Sequence, residues 1–112
     1  MNNFEYVNAT TLAEATAALG SSWSDAVVLA GGTDLLGLMK DYVMSPKRLV
    51  NIKNIKELGG ISKSGAGLRI GAAVTFDELA ASPLVRQSYP SLTQAVHGVT
   101  SPQIRNMGTV GG

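Results

Sequence analysis

Short apolar runs separated by polar or glycine-rich breaks fill the first half of the chain, and their period switches between strand-like and helical. Phe4-Glu5-Tyr6-Val7 alternates, which predicts a short strand. Thr11-Leu12-Ala13-Glu14 has the form of a capping box. Behind it Leu12, Ala15 and Leu19 recur at helical spacing, and Gly20 supplies the stop. A polar loop follows at residues 21–25, in which Trp23 reads as a packing side chain. Val27-Val28-Leu29-Ala30 is then apolar at successive positions, the pattern of a strand covered on both faces. It breaks into Gly31-Gly32-Thr33-Asp34, where Thr33 or Asp34 is placed to cap a helix over residues 35–40. Ser45-Pro46 interrupts the pattern, and Arg48-Leu49-Val50-Asn51-Ile52 is the next strand. Strand, helix and strand in this order form a βαβ unit and predict a parallel sheet.

The second half reads differently. Leu58-Gly59-Gly60-Ile61 predicts a turn, because no helical period follows the glycine pair. Ile61-Ser62-Lys63 and Leu68-Arg69-Ile70 flank Gly65-Ala66-Gly67 as the arms of a hairpin. Thr75-Phe76-Asp77-Glu78 is a second capping box, opening a short helix through Leu79-Ala80-Ala81. Ser82-Pro83 starts another helical turn that ends near Tyr89. Pro90-Ser91-Leu92 opens a helix marked by Leu92, Ala95, Val96 and Val99. Thr100-Ser101-Pro102-Gln103-Ile104-Arg105-Asn106 is polar and is expected to be irregular. The chain closes with Met107-Gly108-Thr109-Val110-Gly111-Gly112, a second small-residue turn expected to be rich in free backbone donors, whose ending reads as a cut inside a larger protein.

Composition narrows the classes. A chain of 112 residues with 45% hydrophobic and 15% charged residues suits one folded domain rather than a disordered segment. A formal charge of +1 gives no field that would recommend nucleic acid. The absence of cysteine excludes disulfides, thiolate metal sites and an iron–sulfur cluster held by this chain alone. No apolar run approaches the ~18 residues of a membrane helix, and the N-terminus lacks the basic-then-apolar order of a signal peptide. No membrane association and a cytoplasmic location are therefore the default expectations, with export alongside a partner subunit left open.

The strand-to-helix glycine turn is the main candidate for chemistry. Such a turn aims several backbone N–H groups at one point, an arrangement suited to phosphate; its bland alternative is a turn that needs glycine for geometry alone. Neither G-x-x-x-x-G-K-[ST] nor G-x-G-x-x-G occurs. His97, the one histidine, has no companions spaced to make a metal site. Asp77 and Glu78 are adjacent and diverge on a helix, so capping is favoured over catalysis. With one histidine and no G-x-S-x-G, no catalytic triad is arguable, and no catalytic residue is assigned. Asp34 reads equally as a cofactor contact or a helix cap. Arg105, just before the closing turn, is expected to face phosphate or a partner. Lys40, Lys47, Arg48, Lys53, Lys56 and Lys63 form a basic middle region that reads as a solvated face.

Leu29-Ala30-Gly31-Gly32-Thr33-Asp34-Leu35 and Arg105-Asn106-Met107-Gly108-Thr109-Val110-Gly111-Gly112 together resemble the two FAD-contacting loops in the flavoprotein subunit of molybdenum hydroxylases. These are the relatives of xanthine dehydrogenase, aldehyde oxidoreductase and carbon monoxide dehydrogenase. Phe4-Glu5-Tyr6, Leu68-Arg69-Ile70-Gly71-Ala72 and Ser82-Pro83-Leu84-Val85 carry the same likeness in the same order. The resemblance implies an α/β domain, α+β in detail, of the vanillyl-alcohol-oxidase or PCMH type. Its first subdomain, residues 1–55, would hold a small mixed or parallel sheet flanked by helices, and residues 56–112 would begin the second. It implies FAD as cofactor, with Val28, Leu29, Ala30, Gly31, Gly32, Thr33, Asp34 and Leu35 as the first contact and Thr109, Val110, Gly111 and Gly112 as the second. It also implies a molybdopterin-containing large subunit and an iron–sulfur small subunit as partners. Electrons would pass from these through FAD to an acceptor such as NAD. The competing expectation is a truncated, non-catalytic module that keeps the fold, self-associates as a homodimer and no longer holds FAD.

Overall fold

Leu49 and Val50, at the middle of a strand spanning Arg48–Asn51, are 1% and 0% exposed, and the first half of the structure is built around them. The computed structural model describes every residue except Trp23 and Thr100, so the packing expected of Trp23 lies outside the described residues. The chain divides into two compact units, Met1–Glu57 and Leu58–Gly112.

In the first unit the order is β1 (Glu5–Asn8), α1 (Leu12–Leu19), β2 (Ala26–Leu29), α2 (Leu35–Lys40) and β3 (Arg48–Asn51). The three strands form one sheet in the order β1-β3-β2, every pair parallel. The parallel βαβ reading therefore holds, but the buried strand is not the expected one. β2, apolar at successive positions, lies at the edge of this sheet and leaves Val28 43% exposed. Full burial belongs to β3, which has a hydrogen-bonded neighbour on either side. Ala9, Ala15, Ala30, Met39 and Ile55 are also buried hydrophobic residues of this unit.

Helix α1 starts as its sequence dictates: the Thr11 hydroxyl accepts the Glu14 N–H at 3.1 Å. The return arm of the box lands one residue earlier than the pattern implies. The Glu14 carboxylate accepts from the N–H and the hydroxyl of Thr10, at 3.3 and 3.1 Å. Of the expected apolar stripe only Ala15 is buried, while Leu12 is 48% exposed. The Arg48 guanidinium fastens the elements together, donating to the Glu5 carboxylate at 2.9 Å and to the Ala18 carbonyl at 2.9 Å.

The second unit opens with the expected antiparallel hairpin, β4 (Ile61–Ser64) against β5 (Gly67–Ile70). Gly65 turns it with φ +58°, a left-handed angle that glycine adopts without a Cβ penalty. Four short helices follow: α3 (Phe76–Ala81), α4 (Pro83–Ser88), α5 (Pro90–His97) and α6 (Pro102–Met107). Val74, Leu79, Val85 and Val96 form their core, with Ile61, Leu68, Ile70, Phe76 and Ala80 packed against it.

Helix α6 corrects the irregular segment expected at residues 100–106; Thr100 itself lies outside the described residues. The Ser101 hydroxyl accepts the Ile104 N–H at 3.4 Å and Pro102 occupies the first turn. Ser82-Pro83 starts α4 in the same way, so the signal was present in a stretch whose polarity masked it. Arg105 holds α6 in place rather than facing outward. It donates to the Val99 carbonyl and pairs with Asp77 of α3 at 3.8 Å.

Truncation should separate the two strands. Leu49→Ala is expected to lower unfolding stability by about 2–5 kcal/mol through lost burial and a residual cavity. Val28→Ala at the exposed edge position should cost less than about 1 kcal/mol by partial transfer alone. Urea unfolding followed by circular dichroism measures both.

Candidate functional site

The glycine turn of the first unit is built from the end of β2 outward. The Leu29 carbonyl accepts the Ile52 N–H at 3.1 Å, which carries the β2–β3 contact one residue past the strand ends. Ala30 is 7% exposed and its carbonyl accepts the Lys53 ammonium at 2.9 Å. Gly32 follows with φ +75°, and a Cβ there would sit 3.1 Å from Leu36 Cδ1 and 3.2 Å from Leu29 Cδ1. Glycine is thus required at residue 32 by backbone angle first and by space second. Leu36 N–H bonds to the Gly32 carbonyl at 3.2 Å and Leu38 N–H to that of Asp34 at 3.1 Å, which begins α2.

Neither Thr33 nor Asp34 caps this helix. Asp34 stands at the cap position with φ −105° and ψ −51°, already helical, and makes no side-chain cap bond. A capping side chain needs an extended backbone to reach back to the first turn, as Thr11, Thr75, Ser82 and Ser101 have here. The N–H groups of Gly31, Gly32, Thr33 and Asp34 meet no acceptor among the described residues. Leu35 is the first residue of α2, and Thr33 and Asp34 are exposed.

Beneath the turn lies a polar network that the sequence did not single out. Asn51, 3% exposed, donates from its amide to the Tyr6 hydroxyl at 2.8 Å and to Asn8 Oδ1 at 3.1 Å. Its own Oδ1 accepts the Lys53 N–H at 3.0 Å. Asn54 donates to the same Asn8 Oδ1 at 2.7 Å. Every polar atom of the buried Asn51 amide is used, as burial demands. The available signal was a polar residue directly after the Leu49-Val50 pair, with a lysine two positions later.

The closing stretch belongs to the second unit and is held differently. Thr109, 5% exposed, bridges antiparallel to Thr75. Phe76 N–H bonds to the Gly108 carbonyl at 3.1 Å, Val110 N–H to that of Val74 at 2.9 Å, and Gly111 N–H to that of Ala72 at 2.9 Å. Gly112 N–H reaches the Thr109 carbonyl at 3.2 Å, and the Thr109 hydroxyl donates to the Gly112 carbonyl at 2.6 Å. These donors are engaged inside their own unit. Glycine is needed at 111 because a Cβ would lie 2.7 Å from Ala72 Cβ and 3.0 Å from its carbonyl oxygen. What this stretch presents outward is bare backbone and the 43% exposed Val110 side chain.

Other candidates fall to structural roles or to solvent. His97 is exposed in the last turn of α5. Thr75 caps α3, its hydroxyl accepting the Glu78 N–H at 3.2 Å and donating to the Glu78 carboxylate at 3.1 Å. Within the basic run, Lys47 pairs with Asp25 at 3.8 Å, while Arg48 and Lys53 are tied as described. Among the described residues no cluster of three or more His, Asp or Glu could hold a metal, and no helix is long and apolar enough to cross a membrane.

The caps make a paired test. Thr75→Ala should cost about 1 kcal/mol, the usual loss for a working N-cap, whereas Asp34→Ala should fall within about 0.5 kcal/mol of wild type as an exposed side chain without such a bond. Thermal unfolding of the two variants reads the difference.

Comparison with known proteins places the sequence. The family described as FAD binding domain in molybdopterin dehydrogenase matches residues 2–112. The carbon monoxide dehydrogenase medium chain of Hydrogenophaga pseudoflava is 42% identical over 109 residues, covering 97% of this chain and 38% of the relative. The putative xanthine dehydrogenase FAD-binding subunit of Escherichia coli is 40% identical over 108 residues, covering 96% of this chain and 37% of the relative. Among solved structures, carbon monoxide dehydrogenase from Hydrogenophaga pseudoflava lacking the Mo-pyranopterin moiety superposes with a TM-score of 0.94 at 41% identity, over 99% of this chain and 39% of that one. The chain thus spans well under half the length of the relatives it matches.

Proposed function

We propose a function on the premise that this chain belongs to the family of FAD-binding domains in molybdopterin dehydrogenases. It holds part of the FAD of an oxidoreductase complex, and the glycine turn after β2 receives the diphosphate. The observation that carries this reading is the turn itself. Gly31, Gly32, Thr33 and Asp34 present backbone N–H groups without acceptors among the described residues, and a Cβ at residue 32 would crowd Leu29 and Leu36. Diphosphate oxygens are acceptors only, and successive amides in a turn form a concave donor set that suits them. The exposed Thr33 hydroxyl adds a donor, and Val28 and Leu29 give apolar surface alongside. Thr109, Val110, Gly111 and Gly112 form the second contact through close backbone approach: the N–H groups of Val110, Gly111 and Gly112 are engaged within the unit, while that of Thr109 meets no acceptor among the described residues.

FAD, when bound, accepts electrons from a donor and passes them on. This chain's share is to bind and orient the cofactor, and none of its residues is assigned a proton-transfer role. In the proposed complex, a molybdopterin-containing subunit and an iron–sulfur subunit supply the electrons, and a carrier such as NAD removes them. The relatives named above, a medium chain and a FAD-binding subunit, support a role as one component of an assembly.

The test is a titration of the purified protein with FAD, followed by flavin fluorescence. Saturable binding is expected. Gly31→Val, which puts a branched side chain among the amides, should weaken it about tenfold or more, a loss of about 1.4 kcal/mol, with the circular dichroism spectrum unchanged. No saturable binding by the wild-type protein, or equal affinity of the variant, would count against the proposal.

A further inference from the structure

Lys53 approaches the glycine turn from the segment that follows β3. Its position is determined at both ends. Its N–H is held by the buried Asn51 side chain at 3.0 Å, and its ammonium donates to the Ala30 carbonyl at 2.9 Å. The Ala30 carbonyl and the Gly31 N–H belong to one peptide unit. That unit is planar and trans, as are the peptide bonds among the described residues. In a trans peptide the C=O and N–H vectors point in opposite directions. An ammonium that captures the carbonyl therefore sets the direction of the N–H.

We infer that Lys53 is a positioning residue for the turn: by holding the Ala30 carbonyl it fixes the Ala30–Gly31 peptide plane and turns the Gly31 N–H away from the sheet, toward the face where an anion is received. Glycine makes such a device necessary. Residue 31 has no Cβ to bias its peptide, so the plane can rotate at small cost unless a neighbour restrains it. Lysine suits the task because the hydrogen bond is charge-assisted and the long stem spans from one strand end to the next. Asn51 completes the arrangement by fixing where the stem begins. The bearing of Lys53 on cofactor affinity rests on the FAD reading, whereas its hold on the peptide plane does not.

The experiment separates the two. The chain is labelled with 15N, and the amide resonances of wild type, Lys53→Met and Lys53→Arg are compared without cofactor. Methionine keeps an apolar stem and removes the donor; arginine keeps a donor. Displacement of the Gly31 and Gly32 resonances in Lys53→Met, with Leu49 and Val50 unmoved and with Lys53→Arg near wild type, supports the inference. A Gly31 resonance unmoved in Lys53→Met, or displaced equally in both variants, overturns it. FAD titration of the same proteins should then show about a tenfold loss for Lys53→Met, the scale of one charge-assisted hydrogen bond, and near-complete recovery in Lys53→Arg. If wild type takes up no FAD, the cofactor reading falls and the amide shifts alone decide the role of Lys53. Should Lys53→Met fail to fold, the arginine variant remains decisive: a Gly31 resonance far from wild type overturns the inference, and one close to it supports it.

Discussion

Strand β3 has no free edge within its sheet. Its backbone is bonded to β1 on one side and β2 on the other, both parallel, with Asn51 opposite Asn8 and Leu29. Parallel pairing in one register brings the carboxyl ends of all three strands to the same level, which is where ligands approach open parallel sheets. Ala9 N–H bonds to the Asn51 carbonyl at 3.1 Å and Ile52 N–H to that of Leu29 at 3.1 Å, so the exits from β1 and β3 are fastened as well. The glycine turn, Asn51 and Lys53 meet for this reason. Burial of Leu49 and Val50 holds them there, since a one-residue slip would invert every side chain of the strand.

The polar groups of the first unit divide by what surrounds them. Lys47 and Asp25 form a pair whose side chains are 83% and 54% exposed, an arrangement that contributes little in water. Asn51 lies in the opposite regime. Removed from solvent, it has to satisfy its amide internally, and it does so through Tyr6, Asn8 and the backbone of Lys53. Its value is therefore geometric: it fixes the path of the chain beside the turn.

At Gly108 and Gly111, in the second unit, glycine serves closeness rather than conformational freedom. Residues 108–111 run along residues 72–76, joined by the Thr75–Thr109 bridge and its flanking backbone bonds. Gly108 is pressed against the Phe76 ring, where a Cβ would lie 2.9 Å from Cε2, and Gly111 against Ala72. The two glycine-rich stretches look alike as strings of letters. The first leaves its amides without acceptors among the described residues, whereas the second engages those of Gly108, Val110, Gly111 and Gly112, so a similar composition serves donation in one place and close packing in the other.

Local features were legible from the chain alone. Helix starts at Thr11, Thr75 and Ser82, the hairpin around Gly65 and the βαβ order follow from turn chemistry and hydrophobic period, which act over a few residues. The likeness of the two glycine stretches to the loops of a flavoprotein family was readable for the same reason, because the backbone shape of such a turn is written in its own residues. Tertiary structure decided the rest. It made β3 rather than β2 the buried strand, since burial depends on which neighbours arrive on either side. It turned Arg105 inward to Val99 and Asp77, and it brought Lys53 to the carbonyl of Ala30, a contact between residues far apart along the chain. A side chain's composition states what it can bond to; only the packed fold determines which partner comes within reach.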